Sequence, residues 1–481
     1  MPFILWFFCG CHFVIWILLP YFLRRGIPMD ALETLVWGTS FEFGTNKHPF
    51  LSAWIADIFF QILPDPALAL YVLSQVCVVV AFIFIYRLAC AFVDPQRAVL
   101  SVVFLEGILY YSLFSVEYNV NVLSLAFVAI GTYIFYLSVS FKKIQYWILT
   151  GVLAGCLLMI KYTNFFALIG WGVYLVVTCN GRSSLKTIGP WIAGSICAII
   201  CLPHLFWLIR YNFYPFDYLF LRASSDTGGF IKNHLIEPFR FLGAQILVSM
   251  LSLLAILLLF FEKKNTVIPK IKNISPFLWC VGVVPIIAFA GFGMIFGNSF
   301  KSMWGYAFLG YLPLILIVAF IQKLTLKQVR HGFRNAFIIM GVLSVSFILS
   351  VTFHVSKKAS FDGQKFAKNM YQIWEHKTGT SLSFVGGDIW YASNIALLGE
   401  KRLPVLIDMN TRIAPWIDLN EIYKKGILVV APTQEVFESY QKIWPKLSNP
   451  VKYHVVFKSL SGRKKTGFVY FGFLEPIQKG G

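Results

Sequence analysis

Between Phe3 and Val355 the sequence returns again and again to apolar runs long enough to cross a bilayer, which takes roughly 20 helical residues for about 30 Å of hydrocarbon. Hydrocarbon offers no hydrogen-bond partners, so a chain crossing it must satisfy its backbone internally, and runs of this length do so as helices. The runs fall near 3–23, 67–88, 98–116, 120–141, 146–160, 164–177, 187–209, 241–261, 277–296, 303–321 and 337–355. They predict about eleven spans. Composition agrees: 58% of the 481 residues are hydrophobic and 13% charged, with mean hydropathy +0.71, where a soluble chain keeps roughly 25% charged to hydrate its surface. The first run, Phe3 to Leu19, lacks a basic start and a small-residue cleavage site, so it is expected to stay as an anchor.

The formal charge of +19 must then reside in loops and tail. Basic residues beside apolar spans hold loops at the anionic cytoplasmic leaflet, a better account of the surplus than nucleic-acid binding. Arg87 and Arg97, Lys142 and Lys143, Arg182 and Lys186, the lysines of 263–272, and Lys323, Lys327, Arg330 and Arg334 occupy alternate loops, expected to be cytoplasmic. That places the amino terminus inside and the long loops 24–66 and 210–240 outside, with the tail. All nine cysteines lie in the apolar part without a Cys-x-x-Cys, so they read as small packing residues rather than a disulfide or zinc framework.

The expected division is a transmembrane domain over 1–355 and a soluble domain over 356–481. The latter alternates short elements: strands at 381–385, 403–407 and 427–430, helices at 389–398, 419–424 and 436–443, and a closing strand pair at 455–458 and 467–472. This is the pattern of a small α/β domain. Gly386-Gly387-Asp388 reads as a strand-to-helix turn capped by Asp388.

Chemistry-bearing residues gather in the segments expected outside. Asp30 and Glu33 stand three apart, so a helix presents both on one face, suited to a base and its neighbour or simply to a capped helix start. Lys47-His48-Pro49 places a cation and an imidazole on a stiffened turn, where a phosphate or lipid headgroups fit. Glu117, Tyr118, Asn119 and Asn121 gather polar groups at the joint of two spans, and Lys161 is a cation at another span boundary that either snorkels or clamps a phosphate. His204 and Trp207 precede a loop containing Arg210 and Arg240 among several tyrosines; guanidinium groups fork onto phosphate and aromatic faces stack on sugars.

In this order the motifs Asp30-Ala31-Leu32-Glu33, Trp37-Gly38, Lys47-His48-Pro49, Glu117-Tyr118-Asn119-Val120-Asn121, Lys161-Tyr162-Thr163 and Leu202-Pro203-His204 with Trp207 resemble the GT-C glycosyltransferases of family 39 over most of residues 20–330. That group is similar to protein O-mannosyltransferases and the aminoarabinose transferase of lipid A. Two positions depart from its pattern: the acid partner of Asp30 follows three residues later instead of adjacently, and Phe50 replaces a second proline.

The resemblance implies a polytopic α-helical membrane protein of GT-C fold with a small periplasmic α/β domain, in the bacterial cytoplasmic membrane. It implies transfer from a polyprenyl-phosphate sugar to a lipopolysaccharide, other glycan or protein acceptor, with inversion. By that likeness Asp30 is the base, with Glu33 as its catalytic neighbour; Lys47, His48, Lys161, Arg210 and Arg240 neutralise the phosphate; Glu33, Glu117, Asn119 and Asn121 orient the sugar or hold a divalent cation, the cofactor question staying open; and Tyr118, His204 and Trp207 complete the sugar- or acceptor-binding set. A multi-span secondary transporter is the rival reading, but carriers are often built from repeats with ionisable groups at mid-membrane, and neither pattern is visible here.

Overall fold

The computed structural model describes residues 2–223, 229–261, 274–298 and 300–476. The expected lysine-rich loop at 263–272 lies outside the described residues, as does part of the loop 210–240. Five helices are long and apolar enough to span a membrane: Phe3–Leu23, Pro66–Ala89, Val120–Phe141, Gly189–Arg210 and Leu326–Phe353. Four bent pairs bring the number to as many as nine among the described residues: Tyr162–Val177 with Cys179–Leu185, Gly229–Val248 with Met250–Phe260, Pro276–Gly282 with Val284–Phe296, and Ser302–Phe308 with Leu312–Phe320. The protein is a multi-pass membrane protein.

Two of the expected spans take other forms. The run at 146–160 is the 17-residue helix Ile144–Ile160, at the short end of what crosses hydrocarbon. The run at 98–116 is helical only over Pro95–Val103 and continues as 3-10 turns to Tyr111. Glu106 and Gly107 explain the break. Glu106 is fully buried and receives His12 Nδ1 at 2.6 Å and Trp16 Nε1 at 3.0 Å, while His12 Nε2 lies 3.1 Å from Gln75 Oε1. A Cβ at Gly107 would run into the backbone of Ser252.

The chain folds as two compact units. One comprises residues 1–17, 72–206 and 216–345, and its elements among the described residues are all helices. Aromatic rings fill it: Phe135 stacks on Trp171 at 5.1 Å, and Tyr110 on Tyr306 at 4.0 Å. The other comprises residues 18–71, 207–215 and 346–481. It holds a five-stranded sheet with strands β1 (Val385–Gly387), β2 (Val405–Ile407), β3 (Ile427–Ala431), β4 (Val451–Lys458) and β5 (Lys464–Leu474) in the order β2-β1-β3-β5-β4. The first three strands run parallel, and β5 joins β3 and β4 antiparallel. β1 to β3 are buried throughout, as parallel strands covered on both faces are. The strand and helix expectations fall close to the observed elements except at β1, which begins at Val385, where the expected strand 381–385 ends, and takes in Gly386 and Gly387 of the expected turn. Helix Gly363–Thr378, which buries Phe366, Ala367, Met370, Tyr371 and Trp374, is an addition to them.

Candidate active site

The second unit builds its polar centre on helix Met29–Gly38. Pro28 precedes the helix and Asp30 lies in its first turn, where the amide ends favour a negative charge. Residues 31–38 are all buried, and Gly38 lets the helix approach Ala53 and Asp57 of helix Leu51–Ile62 closely. Asp30 is half-buried, and its carboxyl makes no hydrogen bond or ion pair among the described residues. Glu33, one turn on, is 4% exposed and receives the Lys47 ammonium at 2.6 Å.

The turn carrying Lys47 is organised by Thr45. Its hydroxyl accepts from the amides of Lys47 (3.2 Å) and His48 (3.0 Å) and donates to the His48 carbonyl (2.9 Å), while Gly44 bridges to Pro49. This side-chain turn reinforces the backbone bond from the Thr45 amide to the same His48 carbonyl at 2.9 Å. Lys47 also lies 5.9 Å from the centre of the Trp37 ring, which His48 meets edge-on at 6.0 Å. With 17% of its side chain exposed, the ammonium remains reachable by a ligand. Trp207 stands behind the turn, donating to Glu42 Oε2 at 2.9 Å and packed so closely on Gly44 that a Cβ there would enter its ring. Arg210 is exposed, 5.6 Å from the Tyr211 ring.

The α/β part of the same unit adds two acids. Gly387, at φ +103° and against the Val430 carbonyl, ends β1 in a conformation and a space that exclude a side chain. Asp388 then caps helix Ile389–Leu398, accepting from the amides of Trp390 and Tyr391 at 3.1 Å each. Asp408 follows β2 with a left-handed backbone, φ +49°, and its amide donates to the Gly387 carbonyl at 2.8 Å. Burial raises the Glu33 carboxyl; Lys47 opposes the rise, and the charges of Asp30 and Asp408 add to it. Loss of water, then the Asp388 charge, push Asp408 up to about 6, against Lys47 and a hydrogen bond from Tyr440. Asp408 stays exposed, so solvent screens part of this effect.

The first unit holds its own polar groups. Lys161 is 6% exposed, with Nζ 2.6 Å from Asn121 Oδ1 and 5.8 Å from the Trp304 ring centre. Asn119 caps helix Val120–Phe141 by accepting from the amides of Asn121 (2.8 Å) and Val122 (3.4 Å). Tyr118 is fully buried beside it and Glu117 half-buried. Tyr162 Oη meets His204 Nε2 at 3.0 Å. Arg240 is exposed and lies 3.5 Å from Glu237 on its own helix.

A family model described as dolichyl-phosphate-mannose-protein mannosyltransferase matches residues 47–207. That stretch includes Lys47, His48, Lys161 and Trp207 and stops short of Asp30 and Glu33. The crystal structure of ArnT from Cupriavidus metallidurans bound to undecaprenyl phosphate superposes with a TM-score of 0.65 at 12% identity, covering 97% of each chain. The apo state of that protein gives 0.65 at 11% identity over the same shares. No curated protein sequence matches the chain significantly. This is the GT-C fold. Fold and family match together indicate a membrane glycosyltransferase.

In this GT-C chain the α/β part contributes Asp408, itself raised by the Asp388 charge, to the electrostatics of Glu33 and Lys47, a contribution sequence reading missed for Asp408. Its signal was present only as an acid directly after a predicted strand. Among the described residues no group of three His, Cys, Asp or Glu is arranged to hold a metal ion.

Glu33 and Asp408 make stability depend on pH. An acid whose folded pKa is raised favours its neutral form, so its contribution is complete below the ordinary carboxylate range and is lost as pH rises through the folded value. For Asp408 the window runs from 3.8 to about 6. The melting temperature of the purified protein is therefore expected to fall by a few degrees between pH 4.5 and 7, and by less in Asp408→Asn. An equal fall in both proteins would show that Asp408 does not carry the effect.

Proposed function

We propose that the protein transfers a sugar from a polyprenyl-phosphate carrier to an envelope acceptor, lipopolysaccharide first among the candidates, on the periplasmic face of a bacterial cytoplasmic membrane. The observation that carries this reading is the arrangement on helix Met29–Gly38: a half-buried Asp30, whose carboxyl has no bonding partner among the described residues, one turn from a buried Glu33 that holds Lys47 at 2.6 Å. Support comes from the match to a family of polyprenyl-phosphate-sugar enzymes and from the undecaprenyl phosphate bound by the similar ArnT.

Asp30 takes the proton of the acceptor hydroxyl as its oxygen attacks the anomeric carbon in line. The bond from that carbon to the phosphate oxygen breaks, its electron pair leaves with polyprenyl phosphate, and the configuration inverts. Lys47, oriented beforehand by Glu33, meets the growing phosphate charge, with His48 and Arg210 as further cations. Preorientation matters because the ammonium then needs no reorganisation as charge develops. In the first unit, Lys161 with Asn121, Glu117, Tyr118, Asn119 and His204 are proposed to bind substrate polar groups, and Arg240 to meet phosphate; Trp207 supports the Lys47 turn.

The test is mass spectrometry of envelope glycolipids from cells with and without the protein, paired with Lys47→Met. Deletion is expected to remove one glycoform with an added sugar, and Lys47→Met to raise the apparent KM for the polyprenyl-phosphate donor by at least tenfold, the loss of one charge-assisted phosphate contact being worth roughly 1.5–3 kcal/mol. Unchanged glycoforms with lost solute uptake would assign the protein to carriers instead.

A further inference from the structure

The hairpin of β4 and β5, residues 451–474, carries five cations, Lys452, Lys458, Arg463, Lys464 and Lys465, and no Asp or Glu. Its inner face is buried through Val455, Phe457, Val469 and Phe471. Alternation then puts the intervening residues on the outer face. There the register sets Lys458 directly opposite Lys464, Val456 opposite Thr466 and His454 opposite Phe468, while Lys452 lies 3.8 Å over the Phe468 ring. Two lysines facing each other across a ladder repel. An anion beside them removes that cost. The same region exposes Val456 (41%), Leu460 (40%) and Phe468 (48%), so it mixes cations with apolar groups.

The hairpin tip is tied to the end of a membrane span. Ser461 donates its amide to the Thr352 carbonyl at 3.1 Å, and Arg463 Nη1 donates to the Phe353 carbonyl at 3.2 Å, its guanidinium 5.8 Å from the Phe353 ring centre. Thr352 and Phe353 close helix Leu326–Phe353, whose Leu349 and Phe353 stay half exposed, as lipid-facing side chains do. Arg24, the residue after the first span, lies 5.1 Å over the Phe347 ring, within two turns of that helix's end, so the two helices end near one another. The tip therefore lies where a bilayer has its headgroups.

We propose that the β4–β5 hairpin is a docking surface for the anionic phospholipid headgroups of the leaflet at which helix Leu326–Phe353 ends. Lys458, Lys464 and Arg463 pair with lipid phosphates, and Leu460 with Phe468 supplies the apolar contact of an interfacial segment. This assignment stands apart from the transfer reaction.

Hydrogen exchange of the full-length protein in nanodiscs tests it. Replacing part of the phosphatidylcholine by phosphatidylglycerol is expected to slow exchange across residues 459–466 several-fold, an effect that high salt reverses. The Lys458→Gln/Lys464→Gln variant is expected to exchange in both mixtures as the wild type does in phosphatidylcholine. Equal exchange of the wild type in the two mixtures overturns the proposal. So does a variant that already exchanges faster than wild type in phosphatidylcholine, because the lysines would then serve the hairpin's own fold.

Discussion

Asp30→Asn is expected to lower sugar transfer by roughly two to four orders of magnitude, the range that a positioned general base contributes, while leaving the protein folded and its donor affinity close to wild type. The amide keeps the shape of the carboxylate and removes only its ability to take a proton. Folding should be indifferent, because the Asp30 carboxyl makes no hydrogen bond or ion pair among the described residues. Loss of its charge relieves the raised Glu33 carboxyl slightly and forgoes the favourable place of a negative charge in the first helical turn, two small effects of opposite sign, so the melting temperature should change little. The measurement is the glycolipid profile of a deletion strain complemented with the variant, beside melting of the purified protein. An intact profile would remove Asp30 from the chemistry. A lost profile together with a lowered melting temperature would assign it to structure.

What could be read from the chain without coordinates follows from the range of each interaction. Spans were legible because hydrophobic length is a local property, and the shared helix face of Asp30 and Glu33 because three residues separate them; the ion pair of Glu33 with Lys47 was not foreseen, although both lie within one loop. Nor was the break at Glu106. Its reason is a carboxylate answered by His12 and Trp16 from the start of the chain, and nothing beside Glu106 announces those partners. Helix Gly363–Thr378 carries its signal locally, since Phe366, Ala367, Met370, Tyr371 and Trp374 recur at helical spacing, yet no element was expected there. Asp388 was legible as a cap because a cap is local. Asp408 was hidden, because its influence on Lys47 and Glu33 exists only once β2 lies beside β1.

Arg402 is the largest of these hidden contributions, and its loss is expected to be the most destabilising single change in the second unit. It ion-pairs with Asp57, which is 1% exposed, donates to the Leu35 carbonyl at 2.6 Å, and lies 5.1 Å over the Phe60 ring. One guanidinium thus joins the α/β part to both helices of the loop that carries Asp30, Glu33 and Lys47. Removing one partner of a buried pair strands the other charge, a penalty of about 3–5 kcal/mol. Arg402→Ala should therefore lower the melting temperature sharply and open the segment 357–476 to protease. It should also reduce transfer, because Leu35 follows Glu33 on the same helix. Arg402→Lys is expected to rescue little, since an ammonium cannot reproduce the planar fork that serves Asp57 and Leu35 together. The double variant Asp57→Asn/Arg402→Met, which leaves no buried charge unpaired, should recover more than half of the lost stability. If Arg402→Ala is no less stable than that double variant, the buried carboxylate is not the source of the penalty, and the α/β part is held to the loop by other contacts, such as the Trp390 indole on the Ile27 carbonyl at 3.3 Å.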